Sequence, residues 1–269
     1  MGAVHPSEEC SPVVAHRQAA CRTRSSAGPG RRGGPGAGGA GVRRPVPPRP
    51  APSRRHGGAG GPEVLSGGAE RRCRERLAAA AAAARGAGAA VLVPLCSVRG
   101  RPALLFTLRS RRLGGRHSGD VSFPGGRREP ADADAVATAL RETREELGLA
   151  LGTGSVWGLL RPLPERGGQL VAPVLANLGP LEDLTLSPNP DEVQEVFTLP
   201  LTHLLRRENQ GYTHFRSAGR YSYTLPVFLN GPHRVWGLTA VITELALELL
   251  APGHYRSQTR VRGRSPASA

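Results

Sequence analysis

The stretch that decides the fold is GGRREPADADAVATALRETREELGL, residues 125–149. Two glycines open it, and the segment from Ala133 to Leu147 has the alanine and leucine content of a helix. Asp132 or Asp134 can cap the start of that helix, and Gly148 can end it. Apolar or small side chains recur at helical spacing, at Val136, Leu140, Thr143 and Leu147. The spacing therefore predicts a helix that packs one face on a core.

Three carboxylates share another face of the predicted helix. Glu142 precedes Glu145 by three residues and Glu146 by four, which places all three side chains on or near one face. Like charges at this spacing repel unless a cation lies among them, and hard carboxylate oxygens favour Mg²⁺ or Mn²⁺. The alternative is a solvated charged face braced by Arg141 and Arg144, the usual meaning of such a charge run. The Gly-Gly loop before the helix and the apolar stripe on its other side favour the metal site.

At these residues the sequence resembles the Nudix hydrolase family. The family's sequence box is a glycine, five residues, Glu, seven residues, and then Arg-Glu-apolar-x-Glu-Glu-x-Gly-apolar. Its second half matches residues 141–149, except that Thr143 takes the apolar position. In its first half Gly126 matches the glycine, and Asp132 stands where Glu is expected. Eight residues then separate Asp132 from Arg141, one more than in the general box.

The resemblance extends on both sides of the box, over about residues 89–250. The segments LFTLRS, residues 105–110, and HSGDVSFPGG, residues 117–126, look like the stretch before the box in the coenzyme A diphosphatase branch. Downstream, EVQEVF, residues 192–197, and WGLTA, residues 236–240, look like later motifs of that branch. The resemblance implies an α/β fold of the Nudix type, an α/β/α sandwich with a mixed sheet in a single domain.

The activity that the resemblance implies is hydrolysis of the diphosphate in coenzyme A and acyl-coenzyme A. The products would be 3′,5′-ADP and (acyl-)4′-phosphopantetheine, and the cofactor Mg²⁺ or Mn²⁺. One alternative is a Nudix pyrophosphatase for another nucleoside diphosphate compound, such as ADP-ribose or a dinucleotide. Another is an RNA decapping hydrolase, and a third is a scaffold without catalysis. The intact Arg-Glu-x-x-Glu-Glu segment at residues 141–146 argues against the scaffold.

Residue roles are implied by the same resemblance. It implies that metal binding and catalysis belong to Glu142, Glu145 and Glu146, with Arg141 holding the carboxylates in place. Substrate contacts are implied for Gly125, Gly126, Arg109, Arg116 and His117. Glu192 or Glu195 could add a base from outside the box, although a surface role is the commoner one for such an acid.

The distribution of charge argues against a nucleic-acid partner. The chain carries a net charge of +15, of which residues 1–62 contribute +8, residues 63–252 contribute +3 and residues 253–269 contribute +4. All 36 basic residues are arginine, which a coding bias toward Ala, Gly, Pro and Arg explains. Because the basic charge lies at the ends, the part expected to fold has no broad basic footprint. The predicted partner is a small molecule.

The two ends of the chain differ from its middle in composition. Residues 1–67 are predicted to be a disordered Arg-, Gly- and Pro-rich extension, residues 68–252 the hydrolase domain, and residues 253–269 a basic disordered tail. The arginine-rich start with few acids is typical of a mitochondrial transit peptide, and the alternative is an extension without an address in a cytoplasmic protein. No apolar run approaches the ~20 residues of a membrane helix.

The remaining elements are predicted from local patterns. An alanine-rich helix is predicted over Glu70–Arg85, and a hairpin of Ala89–Val98 and Pro102–Leu108 turns at Arg99-Gly100. Further strands are expected near 156–160, 170–175, 193–199 and 221–228, and a last helix near Leu238–Leu250.

Overall fold

The central hairpin forms because its two strands alternate between two buried faces. In the computed structural model, β2 (Ala89–Val98) and β3 (Arg101–Arg109) pair antiparallel across the turn at Arg99 and Gly100, both of which have positive φ. Leu92 and Leu105 point into one core cluster, whereas Leu95 and Leu104 point into the other. Strands that are apolar on both faces require layers on both sides of the sheet.

Helices supply those two layers. One face of the sheet is covered by α2 (Ala135–Leu147), and the other by α1 (Gly67–Ala78), α3 (Leu201–Leu205) and α4 (Gly237–Leu250). This arrangement confirms the predicted α/β/α sandwich. The structure describes residues 13–15, 64–78, 84, 86–114, 117–165, 168–217 and 221–259. All of these fall within one compact unit.

The main sheet is mixed, as predicted. Its strands are β2, β3, β4 (Val121–Ser122), β5 (Gly125–Arg127), β6 (Val156–Leu159), β7 (Leu163–Pro164), β8 (Leu170–Pro180) and β9 (Val193–Pro200). The order β4-β3-β2-β8-β6 forms its main path, while β5 pairs with β2, β7 with β8 and β9 with β3. Only the β2–β8 pair is parallel among the pairs described. A second sheet contains β1 (Val13–Ala15), β10 (Gln210–Ser217) and β11 (Tyr221–Phe228) in the order β1-β10-β11.

Packed residues lie beyond both predicted domain boundaries. Val64 is almost fully buried and α1 begins at Gly67, so the folded part starts before residue 68. At the other end Tyr255 is buried, and its hydroxyl donates to the buried carboxylate of Glu244 at 2.9 Å. The fold therefore extends past residue 252, to at least residue 259. The reason is that one aromatic side chain anchors a polar segment, a contact that composition does not reveal.

Other differences concern the first helix and the terminal extension. The helix predicted over residues 70–85 runs Gly67–Ala78, and residues 79–83 and 85 lie outside the described part. Within the extension predicted to be disordered, Val13–Ala15 forms β1 and pairs with β10, while residues 1–12 and 16–63 lie outside the described part. Tail residues 260–269 also lie outside it. No helix among the described residues is long and apolar enough to span a membrane.

Candidate active site

The three glutamates of α2 occupy different environments, although their spacing in the sequence places all of them on one helical face. The exposed fraction of the side chain is 3% for Glu146, 14% for Glu142 and 52% for Glu145. Glu146 lies on the border between the buried stripe of the helix and its charged face. A carboxylate in that position loses its hydration, whereas Glu145 keeps most of its own. The three predicted metal-binding glutamates are therefore not equivalent even before a metal ion binds.

Glu146 is the most perturbed of the three. Burial raises the pKa of its carboxyl to about 8, and the negative charges of Glu142 and Glu192 contribute to the increase. The guanidinium of Arg109 and the backbone N–H of Gly125 oppose this shift only in part. Arg109 approaches no closer than 3.9 Å, from Nη1 to Oε1, and Oε2 is buried without a hydrogen-bond partner among the described residues. A buried carboxylate oxygen without a partner lowers the stability of the folded protein unless a cation or a hydrogen-bond donor binds it.

Glu142 is held against the glycine loop. Desolvation raises the pKa of its carboxyl, and the charge and hydrogen bond of Arg141 oppose that shift. A Cβ added at Gly126 would clash with Oε1 of Glu142, so the absence of a side chain at residue 126 makes room for this carboxylate. Gly125 has a different reason, since its φ is 153° and a Cβ there would clash with the carbonyl oxygen of Ala90.

Arg141 is the hub that organises the carboxylates. Its Nε and Nη2 both reach Asp132 at 3.1 Å, while Nη2 also reaches Glu142 at 3.1 Å and Nη1 reaches Glu145 at 2.9 Å. The hydrogen bond to Asp132 is the main cause of a raised pKa at Arg141. A guanidinium fork fits this bidentate arrangement. Arg141 thus binds the carboxylates of Glu142 and Glu145 while Asp132 holds Arg141 in place.

Asp132, which stands at the position of the first box glutamate, has no free oxygen. The Arg141 guanidinium lowers the pKa of its carboxyl most, and the backbone N–H of Glu129 and the hydroxyl of Thr138 lower it further. Both of those groups donate to Oδ2 at 2.9 Å. The shorter side chain and the extra residue before Arg141 therefore produce a buried counter-ion for Arg141. Asp132 acts on the site through Arg141 instead of facing it.

The segment before the box reaches the site mainly through Arg109, which lies at the end of β3 beside Glu146. His117, which was expected to touch substrate, is largely exposed, and its Nδ1 lies 3.2 Å from Oδ2 of Asp120. Arg116 lies outside the described residues. The structure thus brings Arg109, Gly125, Gly126 and the helix glutamates together, and it gives no such contact for His117.

Of the two candidate acids outside the box, only Glu192 lies near the helix carboxylates. Its charge raises the pKa of both Glu142 and Glu146. Glu195 instead pairs with His233 at 2.9 Å. The sequence offered a signal for this choice in Asn189-Pro190-Asp191-Glu192, because Asn and Asp before a strand favour a turn that fixes the position of the next residue.

The donor set fits a divalent cation only in part. The described residues contain no group of three or more His, Cys, Asp or Glu side chains already arranged as a metal site. The carboxylate of Glu145 is bonded to Arg141 at 2.9 Å. Glu142 and Glu146 nevertheless present desolvated carboxylates, and an orphaned oxygen on Glu146 is the group that a hard cation satisfies. These residues suit such a cation, with Glu192 nearby.

Comparison with known proteins gives a consistent result. A family model described as the NUDIX domain matches residues 86–217. The chain is 64% identical over 204 residues to mitochondrial coenzyme A diphosphatase NUDT8 of Homo sapiens, covering 75% of this chain and 86% of that one. Its identity to the protein of the same name from Mus musculus is 60% over 202 residues, covering 74% and 96%. Nudix hydrolase 3 of Caenorhabditis elegans is 38% identical over 192 residues, covering 64% and 77%.

Proposed function

The chain belongs to the Nudix hydrolase family, and we propose that it cleaves the diphosphate of coenzyme A and acyl-coenzyme A in mitochondria. Water is the second reactant, one P–O bond of the anhydride breaks, and the products are 3′,5′-ADP and (acyl-)4′-phosphopantetheine. The observation that carries the chemistry is the buried carboxylate of Glu146, with one orphaned oxygen, beside Glu142 and Arg109. The similarity to proteins named as coenzyme A diphosphatases supports the choice of substrate.

Family members use divalent metal ions, and we propose Mg²⁺ or Mn²⁺ for this chain. When bound, such an ion clamps phosphate oxygens and makes water a better nucleophile. Glu142 and Glu146 would hold it first, with Glu145 joining only if it leaves Arg141. Arg141 keeps Glu142 oriented, and Asp132 keeps Arg141 in place. Each residue therefore acts by holding a charge at a fixed position before substrate arrives.

Arg109 is the substrate-binding arginine that the geometry favours. Its side chain is 29% exposed, and its one ion pair among the described residues is the long 3.9 Å contact with Glu146. Most of its five donors thus remain available for diphosphate oxygens. Gly125 and Gly126 would contact that diphosphate through their backbone, and the missing side chain of Gly126 leaves room for the carboxylate of Glu142 beside it.

Substitutions in the glycine loop distinguish an effect on catalysis from an effect on stability. Gly126→Ala is expected to lower kcat/KM about 10- to 100-fold, the usual scale for misplacing a group by about 1 Å. The new Cβ would meet only the flexible end of Glu142, so stability should change by less than about 1 kcal/mol. In Gly125→Ala the Cβ would instead meet the backbone of Ala90 and Val91. That variant should lose about 2–5 kcal/mol of stability from strain and overpacking.

Steady-state kinetics and thermal unfolding of both variants check this prediction. If Gly126→Ala kept the full rate, the position of Glu142 beside the loop would not matter for catalysis.

An arginine-lined cavity next to the site supports recognition of the 3′-phosphate. The cavity has a volume of about 280 Å³ and is lined by Ser110, Arg111, Arg112, Pro190, Val193 and Gln194. Arg112 pairs with Asp191 at 3.2 Å, whereas Arg111 has no ion pair among the described residues. A guanidinium fork suits a phosphomonoester, which carries close to two negative charges.

Coenzyme A should be preferred over 3′-dephospho-coenzyme A by about tenfold or more in kcat/KM. The reason is that a hydrogen bond to a charged group contributes about 1.5–3 kcal/mol. Arg111→Ala should reduce that preference, while Arg101→Ala, which removes an exposed arginine at the start of β3, should leave it unchanged. Equal efficiencies in the wild-type protein would reject coenzyme A, and ADP-ribose or dinucleotides would then be the substrates to test.

A further inference from the structure

We propose that Asn189 is a positioning residue, whose side-chain amide holds the carboxylate of Glu192 beside Glu142 and Glu146. This inference rests on the proposed function of the site. Nδ2 of Asn189 donates to Oε1 of Glu192 at 3.3 Å, and this contact is partly buried. The amide thus fixes Glu192, a carboxylate outside the helix whose charge acts on both Glu142 and Glu146.

Asn189 also closes the turn that carries Glu192. Its Oδ1 accepts from the backbone N–H of Asp191 at 3.1 Å. Its carbonyl oxygen accepts from the backbone N–H groups of Glu192, at 3.0 Å, and Val193, at 2.7 Å. The side-chain and main-chain contacts leave this turn little freedom, because each bond fixes a different backbone group. Glu192 is therefore presented by a rigid turn directly before β9.

The same turn is hydrogen-bonded to the end of α2 and to the segment directly after β3. The backbone N–H of Asn189 donates to the carbonyl oxygen of Glu146 at 2.9 Å, which satisfies an end group of α2. On the other side, the N–H of Ser110 donates to the carbonyl oxygen of Glu192 at 2.8 Å. The turn therefore connects the metal-binding helix to the strand that ends at Arg109. Asn189 can therefore set the distance of Glu192 from α2 and from the end of β3.

An amide of this length meets two demands at once. Asn supplies an acceptor for the N–H of Asp191 and a donor for Glu192 at the same time. Asp would keep the acceptor but would put a second negative charge against Glu192. Asn189→Asp thus preserves the contact that closes the turn and removes only the hydrogen bond to Glu192.

Asn177 provides a matched control. Its Oδ1 accepts from the backbone N–H of Gly179 at 3.1 Å, which is the same type of turn contact. It lies in β8, and no carboxylate among the described residues accepts a hydrogen bond from its amide. Asn177→Asp therefore makes the same chemical change at the same type of side-chain-to-backbone contact, without a carboxylate partner. Any loss that both variants share reflects the turn and not the site.

The experiment is a double-mutant cycle in the full chain, with Mn²⁺ affinity as the first readout and kcat as the second. Asn189→Asp and Glu192→Gln should each weaken Mn²⁺ binding about tenfold, the loss expected when one bond to a charged group is removed. The double variant Asn189→Asp with Glu192→Gln should be no weaker than Glu192→Gln alone. Asn177→Asp should bind Mn²⁺ as the wild type does, and all variants should unfold within a few degrees of it.

Additive losses in the cycle would overturn the proposal, because Asn189 would then act without Glu192. Normal Mn²⁺ affinity in Asn189→Asp would overturn it as well. The Mn²⁺ readout does not depend on substrate identity. A wild-type protein that failed to hydrolyse coenzyme A would therefore reject the proposed function while the cycle still decided the role of Asn189.

Discussion

Replacing Glu146 by Gln should lower kcat about 10²-fold or more and, in the metal-free protein above pH 8, should raise stability. The rate falls because an uncharged amide cannot hold a cation, and losing one electrostatic catalytic group has an effect of about this size. The stability rises because folding buries a carboxylate whose pKa is about 8, well above its value of about 4.5 in the unfolded chain.

The sign of the stability effect is set by proton binding. Below pH 4.5 the Glu146 carboxyl is protonated in both folded and unfolded states, so its burial costs no charge desolvation. Between about pH 4.5 and pH 8 the unfolded chain ionises first, and the folded state loses stability progressively as the pH rises. Above pH 8 the loss is complete. Glu146→Gln removes this slope, with a gain of about 1–2 kcal/mol, since the amide must still be buried.

Glu145→Gln is the comparison variant. Its side chain is 52% exposed and pairs with Arg141, so its removal should leave the pH slope of stability in place. Denaturant unfolding at several pH values, together with kcat, tests both variants. A near-normal rate in a folded Glu146→Gln protein would contradict the assignment of this residue.

The fold was predictable because its signals are local and repeated. The apolar hairpin around Gly100 and the helix between Asp134 and Gly148 each carry a pattern several residues long, with caps at the ends of the helix. Asp134 does cap α2, as one of the two predicted candidates. Short elements such as α3 were missed, because five residues provide less than two helical turns of pattern.

The site was only partly predictable, because spacing along a helix does not report burial. Residues 142, 145 and 146 look equivalent in the sequence, and their differences come from what packs around the helix end. Asp132 looks like a misplaced ligand until its partner Arg141 is seen, and Asn189 looks like a surface turn residue until its contact with Glu192 is seen. These contacts join residues that are distant in the sequence or separated by turns, and no periodic pattern encodes them.

Metal binding should depend steeply on pH, for the same reason that Glu146 costs stability. A metal ion needs the charged form of Glu146, so binding must release its proton below pH 8. The affinity for Mg²⁺ or Mn²⁺ should then fall about tenfold per pH unit below 8, or about 100-fold at pH 6.

The stabilisation that Mn²⁺ gives to the wild-type protein, followed by thermal unfolding from pH 6 to 9, measures this dependence. It should grow up to about pH 8 and then level off, since Glu146 is charged beyond that point. In Glu146→Gln the remaining stabilisation should be small and should lose most of its pH dependence.

Excess chelator should abolish turnover, and Mg²⁺ or Mn²⁺ should restore it, because the carboxylates alone cannot clamp a diphosphate of the same charge. Full activity in chelator, or a stabilisation by Mn²⁺ that is equal at pH 6 and pH 8, would mean that Glu146 does not hold the metal.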